Sequence, residues 1–188
     1  MAPDESGQRQ NSGAAALVRG GKLTGRWQLD PAASRVEFRV KHFWHAVTVH
    51  GWFERFAGAG TVGQDGVVSG RLSIDATSLN TKNKQRDKHL RSADFFDVEH
   101  HRDVVVTVER ATPTDGGQMA VAGTLEAAGI RQPVTFTAEV TQASADAVTL
   151  RADLVVDRTL FGMTWRPLGI AAKEAAATVH ARFTRASP

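Results

Sequence analysis

Val36, Phe38 and Val40 are apolar, while Glu37, Arg39 and Lys41 beside them are charged. Period two puts alternate side chains on opposite faces of an extended chain, so this stretch predicts a half-buried strand. The pattern recurs at Val68, Gly70, Leu72 and Ile74; at Val104, Val106 and Val108; and at Met119, Val121, Gly123 and Leu125. It returns at Val134, Phe136, Ala138 and Val140, then at Val148, Leu150, Ala152, Leu154 and Val156, and last at Ala177, Val179, Ala181 and Phe183. Residues 47–58 read as a further strand, with Trp52 and Phe53 placing aromatics on both faces. Short links such as Asp65-Gly66 favour antiparallel hairpins over helical crossovers. An all-β fold of eight antiparallel strands, each with one apolar face, hides those faces and its edges by closing into a barrel.

Residues 76–97 break the rhythm. Asn80 or Thr81 is placed to cap a helix, and the polar residues that follow lack β-branching. The expectation is a helix over 82–91, between strands four and five, with Asp87 and Arg91 paired four apart. A turn carrying Phe95 and Phe96 follows it.

Composition bounds the chemistry. With 41% hydrophobic and 23% charged residues, the 188-residue chain is of ordinary globular make-up. It has no cysteine, which removes disulfides, thiol nucleophiles and thiolate metal sites. Lys and Arg exceed Asp and Glu by 23 to 20, without the dense basic stripe of a nucleic-acid binder. No apolar run reaches the ~18 residues of a spanning helix, so stable membrane insertion is not expected. Residues 1–22 lack periodicity and are expected to form a disordered tail, with the barrel domain over 23–188. The N-terminus is acidic and its apolar stretch at 14–18 is short, which points to the cytoplasm.

Some polar residues fall on the apolar parity. His42 continues the line of Val36, Phe38 and Val40; Arg158 continues that of Leu154 and Val156. Each is placed at a strand end, either facing a barrel mouth, where an arginine suits an anionic head group, or solvated beyond the strand. On the helix, Arg86 and His89 belong to a cationic face that either attracts phosphate or ties the helix to the barrel. His100 and His101 are adjacent, and neighbours on an extended chain point apart, so no metal site is expected. No catalytic motif stands out. Trp27, Trp44, Trp52 and Trp165 read as packing at the barrel ends.

The string SLNTKNKQRDKHLRSADFFDVEHH at 78–101 resembles the signature of the YceI-like family of polyisoprenoid-binding proteins. SRVEFRVKHFW, GWFERFAG, GTLEAAGIRQPVTF and DRTLFGMTW agree with it, so the resemblance spans about residues 26–185. The chain departs from the family's pattern at His101-Arg102-Asp103, where an aromatic-proline pair is common, and at Ala127-Ala128. The resemblance implies a lipocalin-like barrel around an elongated apolar pocket that carries a polyisoprenoid, its phosphate or another long-chain lipid. With no catalytic motif in the chain, no cofactor and no catalytic residue are expected.

On that reading the lining comprises Phe38, Val40, Phe53, Leu72, Ile74, Val106, Phe136, Leu150 and Leu154, with Phe95, Phe96, Phe161 and Trp165 near an end. Small inward residues at Gly70, Gly123, Ala138 and Ala152 leave volume for a ligand. His42, Arg86, His89 and Arg158 are the candidate polar contacts. From periodicity alone, a filled core is the alternative to a cavity. An enzyme acting on an isoprenoid in the same pocket, with His42 or His89 as acid–base, is the alternative function. A homodimer is compatible with a barrel of this kind.

Overall fold

Three aspartates shape the barrel by ending strands. Asp30 accepts a hydrogen bond from the Ala32 amide at 3.1 Å, Asp75 from Thr77 at 2.9 Å and Asp157 from Thr159 at 2.9 Å. Each caps a short 3-10 turn, at Pro31–Ala33, Ala76–Ser78 and Arg158–Phe161 respectively. An Asp side chain offers the backbone this local alternative to a sheet ladder, and Pro31 further favours the turn.

The computed structural model describes residues 20–42, 47–114, 117–165 and 171–186. Its strands are β1 (Gly25–Leu29), β2 (Arg35–His42), β3 (Val47–Phe53), β4 (Phe56–Val62), β5 (Val68–Asp75) and β6 (Leu79–Asn80). After α1 (Lys84–Arg91), the one α-helix among the described residues, come β7 (Asp103–Pro113), β8 (Gln118–Ala127), β9 (Ile130–Ala143), β10 (Ala147–Asp157) and β11 (Ala171–Arg185).

The first six segments are three long strands, each bent once. β1 and β2 pair with successive parts of β11. β4 and β3 continue the wall against β1 and β2, and β5 and β6 against β4 and β3. With β7 to β11, the eight antiparallel strands close on themselves through β1 and β11.

This architecture corrects the sequence reading in detail. The strand expected over 47–58 is two segments, because Ser78 Oγ accepts from the amides of Glu54 (3.1 Å) and Arg55 (3.0 Å) and holds a bend there. The helix was expected between strands four and five; it follows β6, because the bent strands come first in the chain. It begins at Lys84, capped by Asn83, rather than at 82. Lys82 has φ +60, outside the helical region, in a turn held by Asn80 Oδ1.

The barrel is closed at the end away from α1 by Leu23, Trp27 and Val62. Trp27 donates its indole N–H to Leu23 O at 2.8 Å. The tail expected over 1–22 lies outside the described residues as far as residue 19. Lys22 is tied in, its carbonyl accepting from Arg185 at 2.9 Å. Trp44 also lies outside the described residues.

Candidate ligand-binding site

The inward faces enclose two apolar chambers that share Val106, Leu154 and Val179 as common wall. The smaller, of about 210 Å³, lies toward Trp27; Leu72, Phe136 and Leu150 line it. The larger, of about 670 Å³, lies under α1, within the size range of pockets that bury small ligands. Phe38, Val40, Phe53, Ile74, Arg86, His89, Phe95, Phe96, Arg158, Phe161 and Trp165 line the larger one. Period two is what gathers them, since one parity of every strand points inward. His42 ends β2, but its side chain lies outside the described residues.

Two of the four small residues do not fit the simple account of inward volume. Gly123 lines neither chamber: β7 shifts register between Val108 and Arg110, and a Cβ at Gly123 would collide with Thr107 O. Gly70 lines the smaller chamber opposite Gly60, where a Cβ would come within 2.8 Å of Ala59 O. Both serve close backbone approach. Ala138 and Ala152 are buried in the smaller chamber's wall.

The signature segment is a lashing for the lid. Asp87, 7% exposed, accepts from the Thr81 amide (2.9 Å) and Thr81 Oγ1 (2.5 Å). Arg86 donates to Thr81 Oγ1 and Thr81 O, both at 2.8 Å. Arg91 reaches Thr77 O (2.9 Å) and Leu79 O (2.5 Å), so the expected Asp87–Arg91 pair is replaced by two separate ties to the barrel. With α1 held this way, Phe96 packs edge-on against Phe53 at 5.9 Å, and Phe95 lies 5.8 Å from Trp165. His89 sits edge-on between Phe95 and Trp165 and meets Asp94 at 3.0 Å.

Arg158 lies in the 3-10 turn after β10, not on the strand whose parity it continued, and is 5% exposed. Its guanidinium donates to the carbonyls of Ala172 (2.9 Å), Met163 and Trp165 (3.1 Å) and lies 5.6 Å from the Phe95 ring. It therefore pins the 163–165 strap over the larger chamber, while still lining it. Outside the lumen, Asp75 ties the start of the lid segment to its end at Arg102 (2.9 Å) and to Arg55 (3.1 Å) at the bend between β3 and β4. Burial raises its pKa, but hydrogen bonds from Thr77, Arg102 and Arg55 outweigh this and lower it to about 2. His100 faces Asp97 at 3.0 Å, which raises the imidazole pKa, whereas His101 lies over Gly129. Among the described residues no three His, Asp or Glu side chains cluster to hold a metal.

Sequence reading missed Met163 and the role of Thr81. Thr81 was expected as a helix cap; the cap is Asn83, and Thr81 instead engages Asp87 and Arg86 once α1 folds back on it. Met163 lies outside any periodic strand, yet is buried against the larger chamber.

The sequence pattern of the YceI-like domain matches residues 27–184. The chain belongs to the YceI-like family. Among YceI-like relatives, it is 31% identical over 106 residues to protein YceI of Escherichia coli O157:H7, covering 55% of this chain and 54% of that protein. It is 27% identical over 117 residues to a UPF0312 protein of Vibrio campbellii, covering 61% of each. The matches thus span less than two thirds of the curated relatives' length. The YceI-like barrel superimposes on BcnA of Burkholderia cenocepacia with TM-score 0.74 at 22% identity, covering 82% of this chain and 98% of that one. It matches a polyisoprenoid binding domain from Saccharophagus degradans implicated in plant cell wall breakdown with TM-score 0.69 at 19% identity, covering 85% and 98%.

Proposed function

We propose that this barrel binds a long-chain amphiphilic lipid, a polyisoprenoid or its phosphate, for transport, storage or sequestration. The observation that carries the reading is the lumen: two apolar chambers with a common wall, closed at the Trp27 end and roofed by α1. The chain runs from the larger chamber toward the smaller one. Each buried CH2 contributes about 0.8 kcal/mol, so affinity grows with chain length until the tube is full. The head group stays at the α1 end, where the lid segment contributes Asn83, Gln85, Arg86 and His89 to a lining that also holds Glu37 and Arg158. The polyisoprenoid binding domain that shares the fold supports the choice of chain.

Native mass spectrometry of protein purified from its own host tests the reading, with lipid extraction to identify the adduct. The expected result is a bound species with a long apolar chain. A ligand-free barrel that also takes up neither a polyprenyl alcohol nor a polyprenyl phosphate would overturn it.

A further inference from the structure

The barrel wall is not evenly sewn. The ladder between β9 and β10 runs only from Ala143 opposite Val148 to Ala138 opposite Ala152. Beyond it, β9 residues 130–137 are paired with β8 alone, and β10 residues 153–157 with β11 alone. Pro133 stands in this half of β9 and has no N–H to give to either neighbour, as befits an edge. Between the parted strands lies a groove of about 540 Å³.

The groove leads inward. Leu154 lines the groove and both chambers. Phe136 lines the groove and the smaller chamber; Val156 and Phe161 line the groove and the larger one. One layer of apolar side chains is therefore all that separates the groove from the lumen. Around its outer lip sit Val155, 66% exposed, and Leu160, 56% exposed. The 3-10 turn Arg158–Phe161 spans the groove as a latch, held to β9 by Gln132 Nε2 donating to Leu160 O at 3.0 Å.

We propose that the β9–β10 seam is a side portal through which an apolar chain enters and leaves the lumen, with the exposed Leu160 end of the turn, beyond its Arg158 anchor, as its gate. Opening it breaks no ladder hydrogen bond, because β9 130–137 and β10 153–157 are not paired with each other, whereas parting β8 from β9 or β10 from β11 would break several. Passage under α1 would have to undo the ties of Arg86, Asp87 and Arg91. The portal rests on the carrier reading above and adds the route.

The chain has no cysteine, so engineered thiols react alone. Gln132→Cys with Leu160→Cys, bridged by a short bis-methanethiosulfonate whose disulfide links a reductant cleaves, locks the latch. Trp52→Cys with Lys82→Cys, where the lysine Nζ lies 5.7 Å from the indole, instead ties the turn before α1 to β3 and should leave both rates near those of the parent. The probe is a dansyl-labelled isoprenoid alcohol, followed by stopped-flow fluorescence on the full chain. The seam lock should slow uptake and release together by about tenfold or more, leave Kd unchanged, and be reversed by cleaving the bridge. Undiminished rates in the seam-locked protein, with normal binding before locking, would overturn the portal and leave the carrier reading intact. No probe binding before locking would overturn both. Hydrogen exchange gives a measure independent of ligand: within β9 134–137, amides not bonded to β8 should exchange far faster than those that are, and protection of both sets would count against an open seam.

Discussion

Phe38 lies directly across from Gly51 on the neighbouring strand, and its ring occupies the place where a side chain at Gly51 would begin. The ring leans on Phe53 at 5.4 Å and forms part of the larger chamber's wall. Gly51→Val therefore evicts the ring, with Thr81 Cγ2 blocking the remaining room. The expected cost is about 1–3 kcal/mol, with loss of chamber volume. Thermal unfolding and retention of a polyprenyl alcohol measure the two effects.

Ala138→Phe tests the smaller chamber. The residue is buried in its wall, and the void beside it gives the ring somewhere to go. The variant should fold and bind shorter chains than the parent, a shift visible in the mass of the bound lipid. Gly123 does not serve this purpose, because any side chain there strikes the Thr107 carbonyl.

Thr81→Val keeps the shape at the start of the lid but removes the hydroxyl that gives to Asp87 and accepts from Arg86. Leaving a buried carboxylate short of a donor costs about 1–3 kcal/mol. Denaturant unfolding should show that loss, and amide exchange should show it concentrated in α1.

Arg158→Ala should act on the strap rather than on the head group. The guanidinium is engaged by the carbonyls of Ala172, Met163 and Trp165. Binding of a polyprenyl phosphate and of the matching alcohol should weaken equally. A selective loss of the phosphate would reassign Arg158 to the head group.

Acid should loosen the lid at Asp75. Its pKa is 3.8 when unperturbed and about 2 in the fold, so its contribution is complete above 3.8 and is lost as pH falls toward 2. The two arginines are largely exposed, so solvent screening holds the contribution to about 1–2 kcal/mol. Stability curves from pH 5 to pH 2 should be steeper for the parent than for Asp75→Asn.

The alternation of Val36, Phe38 and Val40 against Glu37, Arg39 and Lys41 made an antiparallel barrel legible, because face assignment in a strand depends only on parity along the chain. It made most of the lining legible for the same reason, from Phe38 in β2 to Leu154 in β10. Parity could not place Arg158, because Asp157 ends the strand and turns the next side chain out of register. It could not place Gly123, because the obstacle is a carbonyl brought up by a bulge in another strand. The polar run from Thr81 to Arg91 reads as a solvated helix until the helix folds back and buries Asp87 beside Thr81. The seam shows the division most plainly: alternation at Val134, Phe136, Ala138 and Val140 makes a strand legible, yet only the closing of eight strands decides that β9 and β10 part beyond Ala138. Side-chain alternation is a local property of the chain, whereas register, bulges and closure are set by which distant strands meet.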